Sequence, residues 1–171
     1  PEPLASFIDL FYIGEAEKSI VELVRKYKEL KNKKLSKKKI LRELNKISGV
    51  YVPSLYEARY DNNGELLQIK PAADCIKKRI KRQVVSNLDK AFHPVDFIVP
   101  YLDVVHDRAV VEIARGCTRG CRFCVAGMTY RPTRERSKET ILELTDRILE
   151  STGYNEISLT SLSTADHTQI E

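Results

Sequence analysis

The chain has 171 residues, 42% of them hydrophobic and 31% charged, with a net charge of +5. The apolar share is enough for the core of one domain or a little more, and no apolar run is long enough to span a bilayer or to act as a secretory signal, which excludes a membrane-spanning helix. Four cysteines, three of them clustered, argue for metal binding in a reducing compartment such as the cytoplasm rather than for disulfides, and the modest positive charge permits an anionic partner without implying one.

The chain opens Pro1-Glu2-Pro3 without a methionine and reads as a piece of something longer. Phe11-Tyr12-Ile13, stopped by Gly14 and followed by a helical pattern, predicts a strand–turn–helix unit of an α/β sheet. Ile20, Val21, Leu23, Val24, Tyr27 and Leu30 recur at helical spacing, so residues 16–30 form an amphipathic helix packed on the end of the sheet. The lysine run of residues 31–39 has two readings, a contact for nucleic acid or a solvated turn with Ser36 as N-cap of the next helix. That helix covers 37–47, with Ile40, Leu41, Leu44 and Ile47 on one face and Gly49 as its stop. Val50-Tyr51-Val52 is a strand ended by Pro53. Two alternating runs around Asp61-Asn62-Asn63-Gly64 predict a β-hairpin. Tyr51, Tyr56 and Tyr60 supply either a stacking surface or cross-strand packing. Residues 71–96 are polar, basic and irregular. Cys75, alone there, is a small apolar filler or an exposed thiol, and it is not counted as a ligand. Short apolar pieces at 97–100 and 102–105 precede a turn, where His106 beside Asp107 is either a distant ligand or base or a structural histidine.

The chemistry concentrates next. Ala109-Val110-Val111-Glu112-Ile113-Ala114 is a strand that runs directly into Arg115-Gly116-Cys117-Thr118-Arg119-Gly120-Cys121-Arg122-Phe123-Cys124-Val125-Ala126-Gly127. The spacing is C-x3-C-x2-C, and Gly116, Gly120 and Gly127 let the backbone wrap closely around a metal centre. Structural zinc takes four protein ligands, and only three are local. A four-iron cluster takes Cys thiolates; with three of them it keeps one iron open for chemistry. Phe123 stands where an aromatic ring can shield such a cluster. Residues 125–136 read as a long basic loop. Between 115 and 136 lie six arginines (Arg115, Arg119, Arg122, Arg131, Arg134 and Arg136), suited either to binding a carboxylate or an anionic substrate, or to compensating an anionic cluster and forming salt bridges. Ser137 caps a helix whose buried face is Ile141, Leu142, Leu144, Ile148 and Leu149 and which stops at Gly153. Residues 156–162 form the next strand. Strand, cysteine loop, helix, strand is a right-handed βαβ unit with its site at the C-terminal end of the strands.

The triple-cysteine spacing, with Phe123 before the last cysteine, and the longer run GCTRGCRFCVAGMTYRPTRERS resemble the radical S-adenosylmethionine (radical SAM) enzymes, in particular a subgroup with a cobalamin-binding-like domain before the catalytic barrel. The resemblance implies an α/β fold in three parts. Residues 1–30 are the tail of a Rossmann-like, cobalamin-binding-like domain, residues 31–105 a helical and β-hairpin connector, and residues 106–171 the first βαβ unit of a TIM-like radical SAM barrel. Cobalamin itself is possible for the family, but no Asp-x-His-x-x-Gly ligand motif is present. Cys117, Cys121 and Cys124 would hold a [4Fe–4S] cluster. Phe123 and Gly127 would line the cofactor site, and Ser161 and Ser163, after the second strand, would contact SAM where the family has a Gly-Gly-Glu-like segment. The alternative for that segment is a capped loop leading to a helix.

The activity implied is reductive cleavage of SAM to a 5′-deoxyadenosyl radical that abstracts hydrogen from a substrate, with a one-electron reductant such as flavodoxin or ferredoxin and RNA as one possible substrate. The other reading is a non-catalytic metal-binding module with zinc on the same cysteines. One βαβ unit cannot enclose a substrate, so the chain alone is expected to be inactive and its cysteine loop exposed or disordered.

Overall fold

The computed structural model describes residues 1–102 and 104–170. Asp103, in the second apolar piece before the cysteine strand, lies outside them. The chain divides into two compact units, Pro1–Val85 and Ser86–Glu171.

In the first unit β1 (Phe11–Tyr12), α1 (Ile20–Asn32), α2 (Lys37–Leu44) and β2 (Val50–Tyr51) precede a hairpin of β3 (Tyr56–Tyr60) and β4 (Leu66–Pro71). Strand and glycine turn fall where the spacing puts them, while the helix, expected over 16–30, starts at Ile20. The pairing differs: β1 runs antiparallel to β2, with Phe11 opposite Tyr51, so a two-stranded ladder replaces the expected α/β sheet. Helix α1 contributes Leu30 and the partly buried Leu23 to the same core as Val50 of β2 and Tyr12 of β1. It meets α2, burying Leu30, while Ile20, Val21, Val24 and Tyr27 stay half-exposed. The core gathers Leu30, Ile40, Leu44, Ile47, Val50, Val52, Leu55 and Ile76. Lys77 lies across the end of α2 and donates from Nζ to the carbonyls of Lys46 (3.1 Å) and Ile47 (2.8 Å). Partial burial pushes its ammonium pKa below the usual value.

The hairpin turns at Gly64, whose φ of +82° suits glycine. Asp61 Oδ1 accepts the backbone N–H groups of Asn63 and Glu65, closing the turn. Of the three tyrosines, Tyr51 is buried with its ring 4.8 Å from that of Tyr56. The Tyr56 hydroxyl donates to Lys77 O at 2.9 Å, and the Tyr51 hydroxyl donates to the Glu2 carboxylate. Burial raises the pKa of both phenols. This pair is packing; Tyr60 alone is exposed. The lysine run is a solvated turn in which Lys33 pairs with Glu29 and Lys37 with Asp9.

In the second unit β5 (Ala109–Glu112), β6 (Ala114–Arg115), α3 (Val125–Thr129), β7 (Arg134–Glu135), α4 (Lys138–Thr152) and β8 (Ile157–Thr160) follow in order. Strands β5 and β8 are parallel and in register from Ala109 opposite Ile157 to Glu112 opposite Thr160. Helix α4 connects them and packs on β5, enclosing Ala109, Val111, Ile113, Ala114, Leu144 and Ile148. Its ends match the sequence reading. Ser137 Oγ accepts the Thr140 N–H at 3.3 Å, and Gly153 closes the helix in the left-handed conformation. The region 125–136, read as one loop, holds α3 and β7 instead.

Candidate metal centre

Because β5 and β8 are parallel and in register, the segments after them leave from the same edge: the cysteine loop after β5, and the turn Ser161–Asp166 after β8. The cysteine loop is not a free excursion. Ala114 and Arg115 of β6 pair antiparallel with Glu135 and Arg134 of β7, so residues 116–133 are closed at the neck. Gly116 turns out of that neck with φ of +85°. A Cβ there would lie 2.8 Å from Pro132 O, 2.9 Å from Thr133 Cα and 2.9 Å from Tyr130 O, which leaves room only for glycine.

The neck is braced from below by arginine chemistry. Glu112 accepts two hydrogen bonds from Arg115, at 2.7 and 2.9 Å. Arg136 is 1% exposed. It donates from Nε to Glu112 O at 2.9 Å and from Nη1 to Leu88 O, and its guanidinium lies 3.8 Å from the Glu112 carboxylate. Arg134, also buried, donates to Pro132 O and Tyr130 O. Of the two readings of the arginines, anion binding or salt bridges, these three positions follow the second and frame the loop, because the fork geometry of guanidinium matches carboxylates and paired carbonyls alike.

Within the loop, Cys117 and Cys124 are half-buried and Cys121 is exposed. Cys117 Sγ accepts the Arg119 N–H and Cys124 Sγ the Gly127 N–H, both at 3.4 Å. Cys124 thus caps α3, and Gly127 is buried against it. Among the described residues no three His, Cys, Asp or Glu side chains converge on a point that could hold a single ion. A four-iron cluster does not ask for that convergence, since each thiolate binds a different iron. Accessible thiols that accept backbone N–H groups suit a cluster, whose sulfurs are tuned by such hydrogen bonds. The donor set therefore fits a [4Fe–4S] group. Phe123 is 90% exposed at the loop tip, so its ring covers nothing within the chain.

The turn after β8 meets the loop through an ion pair. Arg119 donates from Nε (2.6 Å) and Nη2 to the two carboxylate oxygens of Asp166. Ser163 Oγ donates to Asp166 Oδ2 at 2.8 Å. Arg119 first and Ser163 second hold the Asp166 carboxyl below the usual carboxylate range. Ser161 Oγ pairs with Thr164 Oγ1 at 3.0 Å and accepts the Ser163 N–H. Residues beyond Asp166 are sewn to the far side of the neck. His167 Nε2 bonds to Arg136 O (3.0 Å), Thr168 donates from N and Oγ1 to Glu135 Oε2, and Gln169 Oε1 accepts the Lys138 N–H. Sequence reading missed the roles of Glu112, Asp166 and Gln169, each of which also reaches a partner far along the chain: Arg136, Arg119 and Lys138. His106 and Cys75 are exposed.

Comparison with known proteins gives two family matches. Residues 1–53 match the family model "Radical SAM proteins, N-terminal", and residues 111–171 match that of the radical SAM superfamily. The chain belongs to the radical SAM superfamily. It is 27% identical over 168 residues to an uncharacterized protein of Methanocaldococcus jannaschii, a match that covers 98% of this chain and 30% of that protein. No solved structure matches the chain significantly. No helix among the described residues is long and apolar enough to cross a membrane.

Proposed function

We propose that this chain is the cluster-bearing part of a radical SAM enzyme, with Cys117, Cys121 and Cys124 each holding one iron of a [4Fe–4S] cluster and the fourth iron left for SAM. The observation that carries the reading is the cysteine loop itself. It stands at the C-terminal edge of a parallel βαβ unit, closed at its neck, with backbone N–H groups already given to two of its sulfurs. When bound, the cluster supplies one electron to the sulfonium of SAM. The chain's own part is positional. Gly116 and the Arg115–Glu112–Arg136 frame fix where the loop leaves the sheet. Phe123 offers an apolar face at the tip, Gly127 seats Cys124, and Ser161 and Ser163 bring hydroxyls to the same edge. On this reading residues 106–171 begin a TIM-like barrel, residues 31–105 connect, and residues 1–30 end a cobalamin-binding-like domain. The partner is a low-potential one-electron carrier of the flavodoxin or ferredoxin class.

Anaerobic reconstitution with iron and sulfide, followed by electron paramagnetic resonance of the reduced sample, tests this. A four-iron signal that changes on adding SAM and is lost in Cys121→Ala is expected. One tightly held zinc per chain, with no sulfide and no response to SAM, would instead establish a zinc module.

A further inference from the structure

The Arg119–Asp166 pair joins segments 47 residues apart, and the reading above gives it no task. Arg119 sits midway between Cys117 and Cys121. Its backbone N–H serves Cys117 Sγ, while its side chain is engaged by Asp166. Asp166 is held in turn by Ser163, and its turn is anchored to the neck by His167 and Thr168. The carboxylate is therefore presented from a fixed base, and the guanidinium is the element that is caught. Exposed ion pairs contribute little to stability, and the Arg119 side chain is 62% exposed. A net stabilising role does not account for the arrangement. Charge placed beside thiolates, and an N–H delivered to one of them, bear instead on how readily a cluster accepts an electron.

We propose that Arg119, Asp166 and Ser163 form a clasp that seats Cys117 and sets the reduction potential of the bound cluster, the carboxylate compensating a guanidinium that would otherwise stand as a bare positive charge beside the sulfurs. This rests on the cluster reading. The residues are positioning residues, since they act through the cysteine loop rather than by ligating iron.

The two halves of the clasp give opposite signs. Asp166→Asn leaves Arg119 uncompensated, so the cluster becomes easier to reduce and its midpoint moves to a more positive value. Arg119→Gln leaves Asp166 uncompensated, and the midpoint moves to a more negative value. A loop that was merely loosened would take up water in both variants and shift both in one direction. The experiment is redox titration of the reconstituted chain followed by electron paramagnetic resonance, with wild type, both single variants and Arg119→Gln/Asp166→Asn. Opposite shifts, largely cancelled in the double variant, are expected. Shifts of the same sign, or none, overturn the proposal.

A second arm needs no cluster. In the metal-free chain, alkylation of Cys117 is followed by mass spectrometry against the exposed Cys75 as internal control. Several-fold faster labelling of Cys117 in both single variants is expected, with Cys75 unchanged; equal rates in all chains overturn the clasp. Failure of wild type to form any cluster would fell the cluster reading of this chain and the potential-setting role with it, and the labelling ratio would still decide whether the clasp seats Cys117.

Discussion

At the scale of single residues, the cysteine loop depends on positions that are not cysteines. Gly116 and Gly153 share a positive φ, and they separate two costs. An added Cβ at Gly153 meets nothing within 4 Å, so Gly153→Ala carries only the left-handed penalty, about 1 kcal/mol. At Gly116 the same change drives Cβ against three backbone atoms of 130–133. Urea unfolding should show Gly116→Ala to be worse by at least about 1 kcal/mol, and reconstituted iron per chain should fall in that variant alone. Arg136 is the other sensitive point. Arg136→Met strips donors from Leu88 O and Glu112 O in a buried site, at a cost of about 3 kcal/mol. Lysine, with no fork, should recover little of it. The Asp166 carboxyl adds a pH test. Its folded pKa is lowered, so the pair is fully present above the ordinary carboxylate value of about 3.9 and is lost as pH falls through the lowered folded value. The Arg119 Nε–H resonance should hold its position from neutral pH to about pH 4 and move only below it. A midpoint at or above that value would show that the pair does not form in solution.

At the scale of elements, legibility follows the range of the interactions that make each one. Helix α4 was readable because all its signals are local: Ser137 before the first turn, apolar residues at helical spacing, Gly153 at the stop. Ser137→Ala should lower the unfolding free energy by about 1 kcal/mol with an unchanged denaturant slope, as loss of a cap does. The hairpin was readable for the same reason, with Asn63-Gly64 between alternating runs. The neck of the loop was not. Strands β6 and β7 are two residues each, too short to show a period, and they exist because 18 intervening residues return to the same place. Helix α3 is capped by a thiol, which is not among the preferred caps. The six arginines looked alike in sequence. Only the fold distinguishes Arg136, buried beneath the neck, from Arg119, held at the surface by Asp166. The cysteine spacing was plain in the sequence, whereas the contacts that brace the loop include pairings across 24 to 48 residues.

At the scale of the whole molecule, the two units each close their own core, and the two family matches fall one in each. Leu44 and Val52 lie in the first core and Val111 and Ile148 in the second, all at or near zero exposure. The two cores share no residue. Leu44→Ala and Ile148→Ala should each cost about 2–5 kcal/mol, the range for large-to-small changes in a buried core. Native-state hydrogen exchange is the measurement that locates the cost. Leu44→Ala is expected to reduce protection in α1, α2 and β2 and to leave α4 and β5 as they were. Ile148→Ala is expected to do the reverse, and in addition to speed exchange at the Gly127 amide, because the cysteine loop is carried on a neck whose base is the second core. Equal loss of protection in both units from either variant would mean that the chain unfolds as one cooperative body. A second core that softened without affecting the Gly127 amide would mean that the loop keeps its shape independently of the sheet that presents it.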